Sequence, residues 1–278
     1  MDIEFAGACD REEIEALYNI VFSGEEEYAS YYHDNFWRPE RCLVVRENGK
    51  IISMVNLMDQ EMTLGEEVYK ATYIFAAATH PDHRGKGLMG KMLEHSFELG
   101  RKWGKDLSIL ITENDSLFDF YKRFGYQPVF GVSKTEISEE PPVYMCKARM
   151  LDIGDESRMK RVYDCFSQGR LKIERSEERF RQILGEYEGR AYGLFDQSGE
   201  NMIAYCLMDE AHMRAAEVIG MGCGYLIYIC CASPEGHGCG LPELENSRPI
   251  GCALPLSERG AAVLDKGVYP PYINILFN

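Results

Sequence analysis

The chain holds no run of about 18 apolar residues, the length a membrane-spanning helix needs, so no membrane partner is expected. Its opening residues, Met1 to Phe5, contain neither a basic stretch nor an apolar one, which predicts no secretory leader and a cytoplasmic location. Basic charge is also scarce. Thirty Lys and Arg stand against 45 Asp and Glu, for a formal net charge of −15. A nucleic-acid partner requires a basic surface, so that class is excluded. Paired cysteine spacing is missing as well. Cys223, Cys230, Cys231 and Cys239 crowd together with His237, but without the Cys-x-x-Cys pairs that zinc sites use. Most of the ten cysteines sit in apolar runs and read as small core thiols in a reducing compartment, so no metal and no disulfide scaffold are expected.

What is present suggests two modest domains in 278 residues. Residues 1–140 carry most of the excess acid, with 26 acidic and 15 basic side chains. Such a field serves solubility, and it also draws in cations such as amines. Ile14, Leu17, Tyr18 and Val21 follow Asp10 at helical spacing. An aromatic-rich segment with Tyr28, Tyr31, Tyr32, Phe36 and Trp37 follows, opened by Glu25, Glu26 and Glu27. Its rings suit core packing or an apolar acceptor pocket, and its acids suit a solvated helix start or a cationic entrance. Asn48-Gly49 between two apolar runs signals a hairpin. Residues 69–79 read as the next strand, giving an antiparallel meander.

The pattern changes after Pro81. A glycine-rich loop leads into Leu88, Met89, Met92, Leu93, Phe97 and Trp103 at helical spacing. A short strand at 107–112, a helix at 116–124 stopped by Gly125, and strand structure at 126–137 complete this half. Residues 138–142 end in paired prolines and read as a linker. Beyond it, strand 148–151, helices 157–165 and 177–184, and a hairpin of 191–196 with 202–208 are expected. Residues 226–232 are ambiguous, and 272–277 read as a terminal strand. The second half repeats the order of helices then hairpin, without a cofactor loop.

Three chemistries compete for the loop. Gly85, Gly87 and Gly90 match the dinucleotide pattern Gly-x-Gly-x-x-Gly, and Glu113 stands near the place of its ribose-binding acid; but the pattern belongs directly after a strand in a parallel unit, and here Pro81 and charged residues intervene. Gly85 to Lys91 match most of a nucleotide P-loop, but Met92 replaces the hydroxyl that binds magnesium. The third reading takes Arg84 and Gly87 together, behind Pro81 and a strand and ahead of an amphipathic helix. The amides of a first helical turn are unpaired and sit at the positive end of the helix, which suits a diphosphate.

With Ala77-Ala78-Thr79, then Pro81, Arg84-Gly85-Lys86-Gly87-Leu88, and later Phe120-Tyr121-Lys122-Arg123-Phe124-Gly125-Tyr126, residues 1–135 resemble the GNAT superfamily of N-acetyltransferases. Met89 departs from the family's usual small residue, with Gly90 one place later, a variation tolerated in the subgroup that resembles the Eis acetyltransferases. The resemblance implies an α/β (α+β) fold: a mixed, mostly antiparallel sheet flanked by helices over 1–137, and a second, degenerate acetyltransferase-like domain over 143–278. It implies acetyl-CoA as co-substrate, held by Ala77, Ala78 and Thr79 along the pantetheine and by Arg84, Gly85, Lys86, Gly87, Leu88, Met89 and Gly90 at the diphosphate. Asn114 lies where family members contact the thiol end, though a helix-cap role competes. Tyr121 matches the family's general acid, with Phe120, Phe124 and Tyr126 as packing. For the base, Asp59, Glu61, His80, a water chain or the carboxylate of Asn278 stay open. The acceptor expected is a small-molecule amine, for which the acidity points to polyamines or aminoglycoside-like cations, while a peptide N-terminus fits as well; homo-oligomers are compatible with the sequence. The alternative is a catalytically silent acyl-CoA-binding regulatory module.

Overall fold

The structure is a computed structural model and describes residues 2–23, 26–112, 114–142, 146–210, 212–231, 236–243, 247–266 and 269–273. The first half runs β1 (Ile3–Phe5), α1 (Arg11–Val21), α2 (Glu26–Asn35), β2 (Cys42–Glu47), β3 (Lys50–Leu64), β4 (Glu67–Thr79), α3 (Leu88–Lys102), β5 (Leu107–Ile111), α4 (Asp115–Lys122) and β6 (Gln127–Glu136). The second runs β7 (Lys147–Met150), α5 (Glu156–Phe166), β8 (Lys172–Ile173), α6 (Glu177–Glu186), β9 (Ala191–Phe195), β10 (Met202–Met208), β11 (Arg214–Gly220), α7 (Cys223–Cys230), β12 (His237–Gly240), β13 (Ser247–Pro255) and α8 (Glu258–Leu264).

Alternation along the strands sends successive side chains to opposite faces, and the helices divide accordingly. Val44, Met54, Tyr73 and Phe75 pack with Ile14, Leu17 and Tyr18 of α1 and Tyr32 of α2. Leu43, Val45, Val55 and Ile74 pack with Met92, Leu93 and Phe97 of α3 on the other face. The expected α/β class, a mostly antiparallel sheet flanked by helices, is therefore what forms. Among the described residues, the strands join in the order β1-β2-β3-β4-β5-β13-β6-β12-β11-β10-β9-β7, with β8 paired to β3. Among these described strand pairs, β4–β5 and β11–β12 are parallel and the rest antiparallel.

Several elements lie outside the sequence reading. β12, β13 and α8 fall outside it because glycine, proline or cysteine interrupts their apolar patterns, and β11 because Arg214 and Glu217 break its apolar run. β13 comes from late in the chain yet sits between β5 and β6, so both halves share one sheet. Of the ambiguous residues 226–232, Leu226 to Cys230 belong to α7 and Cys231 ends it in an extended conformation; residue 232 lies outside the described residues. Of the expected terminal strand, Tyr272 makes a parallel bridge with Lys172; residues 274–278 lie outside the described residues.

The second half repeats the order of the first: two helices, three antiparallel strands, a glycine turn, a helix, then a parallel strand. Its turn, Gly220-Met221-Gly222, lacks basic residues. Pro142 covers it: a Cβ built on Gly222 would lie 2.2 Å from the proline ring. Space that an anion needs is filled there by the linker.

Electrostatics at the start of α5 give one stability prediction. Burial raises the Asp155 carboxyl, but hydrogen bonds from Arg149 and the Asp152 amide, with Arg158 nearby, outweigh it and hold the group below its ordinary value. A depressed carboxyl contributes stability that is present above its unfolded value, about pH 4, and lost as pH falls through the lower folded value. Urea midpoints of wild type are thus expected to fall more steeply than those of Asp155→Asn as pH drops below about 4. Parallel curves would remove Asp155 from acid unfolding.

Candidate active site

β4 and β5 pair only from Ala71–Leu107 to Tyr73–Ile109. Beyond that point β4 continues to Thr79 with no partner strand on its β5 side among the described residues; β5 ends at Ile111 and its other edge is bound to β13. The two strands part, and a row of backbone donors and acceptors on β4 is left for something else to satisfy.

A bulge sits at the start of this open edge. On β3, Met54 and Asn56 are two residues apart, whereas their partners on β4, Ala78 and Phe75, are three apart. The extra residue falls at Ala76–Ala77, and Ala76 takes φ +47°. A left-handed alanine costs about 1–2 kcal/mol, and such strain collects where a strand must be re-aimed. The opposite edge is firmly tied: Ser53 Oγ donates to Ala78 O at 2.9 Å and lies 2.8 Å from Thr79 Oγ1, and His80 N donates to Ile52 O. Ala77 borders the parted region, Ala78 is buried, and Thr79 is half-buried.

The loop after β4 turns through Gly85 (φ +76°) and Gly87 (φ +73°) into α3. Left-handed geometry explains glycine at both sites. A Cβ at either would meet no atom within 4 Å, so the space in front of the turn is open. No side chain caps α3, which leaves the first-turn amides of Leu88, Met89 and Gly90 without an intrahelical or side-chain partner. Arg84 Nε donates to Thr79 O at 3.1 Å, which anchors its guanidinium beside the turn, and Lys86 Nζ lies 3.4 Å from His83 Nδ1. Gly90 has a second duty, since a Cβ there would lie 2.8 Å from the Phe124 ring. The glycine that follows Met89 lets α3 and the end of α4 approach.

Where β4 and β5 part lies a cavity of about 880 Å³. It brings Ala77, Asn114 and Tyr121 together; the loop residues 84–90 lie outside it. Tyr121 is 8% exposed, and burial pushes its phenol up to about 12, with Cys252 adding to the rise. It therefore keeps its proton throughout the neutral range. Asn114 caps α4, its Oδ1 accepting from Ser116 N at 2.9 Å and from Ser116 Oγ at 2.8 Å. Cap duty thus occupies that oxygen, and Asp115 is the first residue of the helix. Tyr126 is core, its hydroxyl 2.6 Å from Ser108 Oγ.

None of Asp59, Glu61 and His80 borders the cavity. Asp59 is held by Arg41 at 2.7 Å and Lys105 at 2.5 Å. His80 accepts from Asp82 N at the turn before the loop. Asn278 lies outside the described residues. Sequence reading offered Tyr31 for an acceptor pocket, and it lines this cavity from α2; it missed the rest of the wall, Tyr18 of α1 and Phe22 just after it, with Glu186, Tyr187 and Arg190 at the end of α6 and beyond. No local pattern marks residues that meet only because two halves fold together.

Residues 2–129 match a family model described as an acetyltransferase (GNAT) domain. That stretch, which carries the parted parallel strands and the uncapped glycine-led helix, is similar to the acetyltransferase domains of the GNAT superfamily. No curated protein sequence matches the chain. Its fold is similar to solved structures over nearly all its length. A GCN5-related N-acetyltransferase from Kribbella flavida aligns at TM-score 0.70 and 13% identity, covering 94% of this chain and 73% of that one. One from Anabaena variabilis gives 0.68 and 13%, covering 94% and 74%. Eis1 from Mycobacterium abscessus gives 0.65 and 12%, covering 92% and 74%. Among the described residues no helix is long and apolar enough to cross a membrane.

Proposed function

We propose that the protein is a cytoplasmic, acetyl-CoA-dependent N-acetyltransferase acting on a small-molecule primary amine. The observation that carries this reading is an open β4 edge and a protonated tyrosine at one cavity, with an uncapped α3 N-terminus in the loop that follows the same strand. The residues fit the co-substrate: space lies open in front of Gly85 and Gly87, where any Cβ would project. Amides of Leu88, Met89 and Gly90, with Arg84 and Lys86, would hold the diphosphate. Ala77 to Thr79 would pair with the amide-bearing arm, and a β4 amide at the bulge would stabilise charge on the thioester oxygen. The co-substrate supplies an activated acetyl group. A neutral amine nitrogen forms the new C–N bond, the C–S bond breaks, and sulfur takes the electron pair. Tyr121 donates a proton to that sulfur, and the proton lost by nitrogen leaves through water. We also read residues 1–137 as the catalytic domain and 143–278 as a degenerate repeat, in keeping with the covered turn at Gly222.

Calorimetric titration with acetyl-CoA, combined with thiol release across an amine panel, tests the proposal. Binding without turnover on any amine would favour the silent acyl-CoA-binding module. Arg84→Ala is expected to weaken acetyl-CoA binding about tenfold by removing a charge-assisted contact. Acetyl-pantetheine, which has no diphosphate, should bind both proteins alike; an equal loss for both ligands would place Arg84 elsewhere.

A further inference from the structure

Glu186, the last residue of α6, brings a buried carboxylate to the cavity from the second half of the chain. Its side chain is 8% exposed. Oε1 accepts from Arg179 Nη1 at 3.0 Å and from the Tyr31 hydroxyl at 3.2 Å. Oε2 is buried and has no hydrogen-bond partner among the described residues. A carboxylate oxygen stripped of water and given no donor is a costly arrangement, and in a cavity wall it is one that a ligand completes.

The surroundings specify what kind of ligand. Tyr18, Phe22, Tyr31, Tyr73 and Tyr187 also border the cavity, and aromatic faces favour a cation on an apolar body. Glu186, Glu210 and Arg190 are the charged residues among the described lining, a formal balance of −1. Arg190 spends its guanidinium on main chain, donating to Glu186 O at 2.7 Å and Met208 O at 3.5 Å. Arg179 behind the wall already pairs Oε1, so Oε2 is the acceptor left to a cation, enough for one and too little for a chain of them.

We infer that Glu186 determines acceptor specificity by holding a positive group of the acceptor other than the nitrogen that is acetylated. This rests on the acetyl-transfer reading above. An attacking nitrogen must be neutral, since an ammonium has no lone pair, and a carboxylate gains little from a neutral amine. The partner of Oε2 is therefore a second cation, joined to the reacting amine by a short apolar spacer. The acceptor class is a compact diamine or an equivalent amino-cation, rather than an extended polycation.

The test compares kcat/KM for a short α,ω-diamine and a monoamine of equal chain length, in wild type and E186Q. Wild type should prefer the diamine by about tenfold or more, and E186Q should bring the ratio near one, through KM rather than kcat. Glutamine keeps an oxygen for Arg179 and Tyr31, and thermal unfolding checks that the fold survives. Equal preference in wild type, or preference kept in E186Q, overturns the assignment while leaving acetyl transfer intact. Should no amine accept acetyl, the enzyme reading fails on its own account. Titration of the diamine into the protein then still judges Glu186: binding that weakens about tenfold in E186Q supports the site, and binding indifferent to E186Q, or none, refutes it.

Discussion

Arg175→Met is expected to cost about 3–5 kcal/mol of folding stability, read as a lowered urea midpoint, because it leaves a charge alone in the core. Arg175 and Glu217 are 1% and 0% exposed and meet in a bidentate pair at 2.7 and 2.9 Å. The hydroxyls of Tyr205 and Tyr272 add hydrogen bonds to the same carboxylate at 2.7 and 2.6 Å. Burial opposes charge on the guanidinium, but Glu217 outweighs it and holds Arg175 well above its ordinary value. The network ties the segment before α6 to β11 and to the C-terminal Tyr272, so it also sets the position of the α6 end that walls the cavity. Adding Glu217→Gln to Arg175→Met removes the orphaned charge and keeps an acceptor for the tyrosines. More than half of the lost stability should return. A single variant that loses less than about 1 kcal/mol, or a double variant with no recovery, would show that the pair is solvated and of little consequence.

Tyr121→Phe should lower turnover about 10²-fold with acetyl-CoA affinity near normal. A thiolate leaving group gains from a proton near neutral pH, and a phenol pushed up to about 12 by burial is fully protonated there. Because that value lies so high, wild-type turnover should show no alkaline loss attributable to Tyr121 below about pH 11. The defect should also shrink with an acetyl thioester of an aryl thiol, whose thiolate needs no proton. Unchanged turnover would remove Tyr121 from the reaction. A defect equally deep with the better leaving group would reduce its part to packing, beside Phe120 and Tyr126.

Much of the first half was readable in residue order. Asn48 and Gly49 turn between β2 and β3, and Gly125 ends the α4 region at φ +90°. Arg84 to Gly90 lead into a helix as their spacing required. These features are local: left-handed turns, helical periodicity and uncapped amides depend on neighbours within a few residues. The bulge at Ala76 left no such mark, since alanine is as comfortable in a regular strand, and its displacement follows from the register against β3. The second half was read less well. Gly222 opens α7 much as Gly87 opens α3, but that Pro142 covers the turn depends on how the linker folds back.

By itself, then, the sequence determined the meander, the glycine-led start of α3, the tyrosine four residues before Gly125, and the acidic balance of the composition. Each of these is set by short-range stereochemistry or by composition. Tertiary structure alone decided that β13 enters between β5 and β6, that Arg175 finds Glu217, and that Glu186 faces the cavity shared with Tyr121. Those pairings join residues tens to more than a hundred positions apart. They are chosen by which buried surfaces and charges satisfy one another once the chain has closed, a condition no stretch of sequence carries alone.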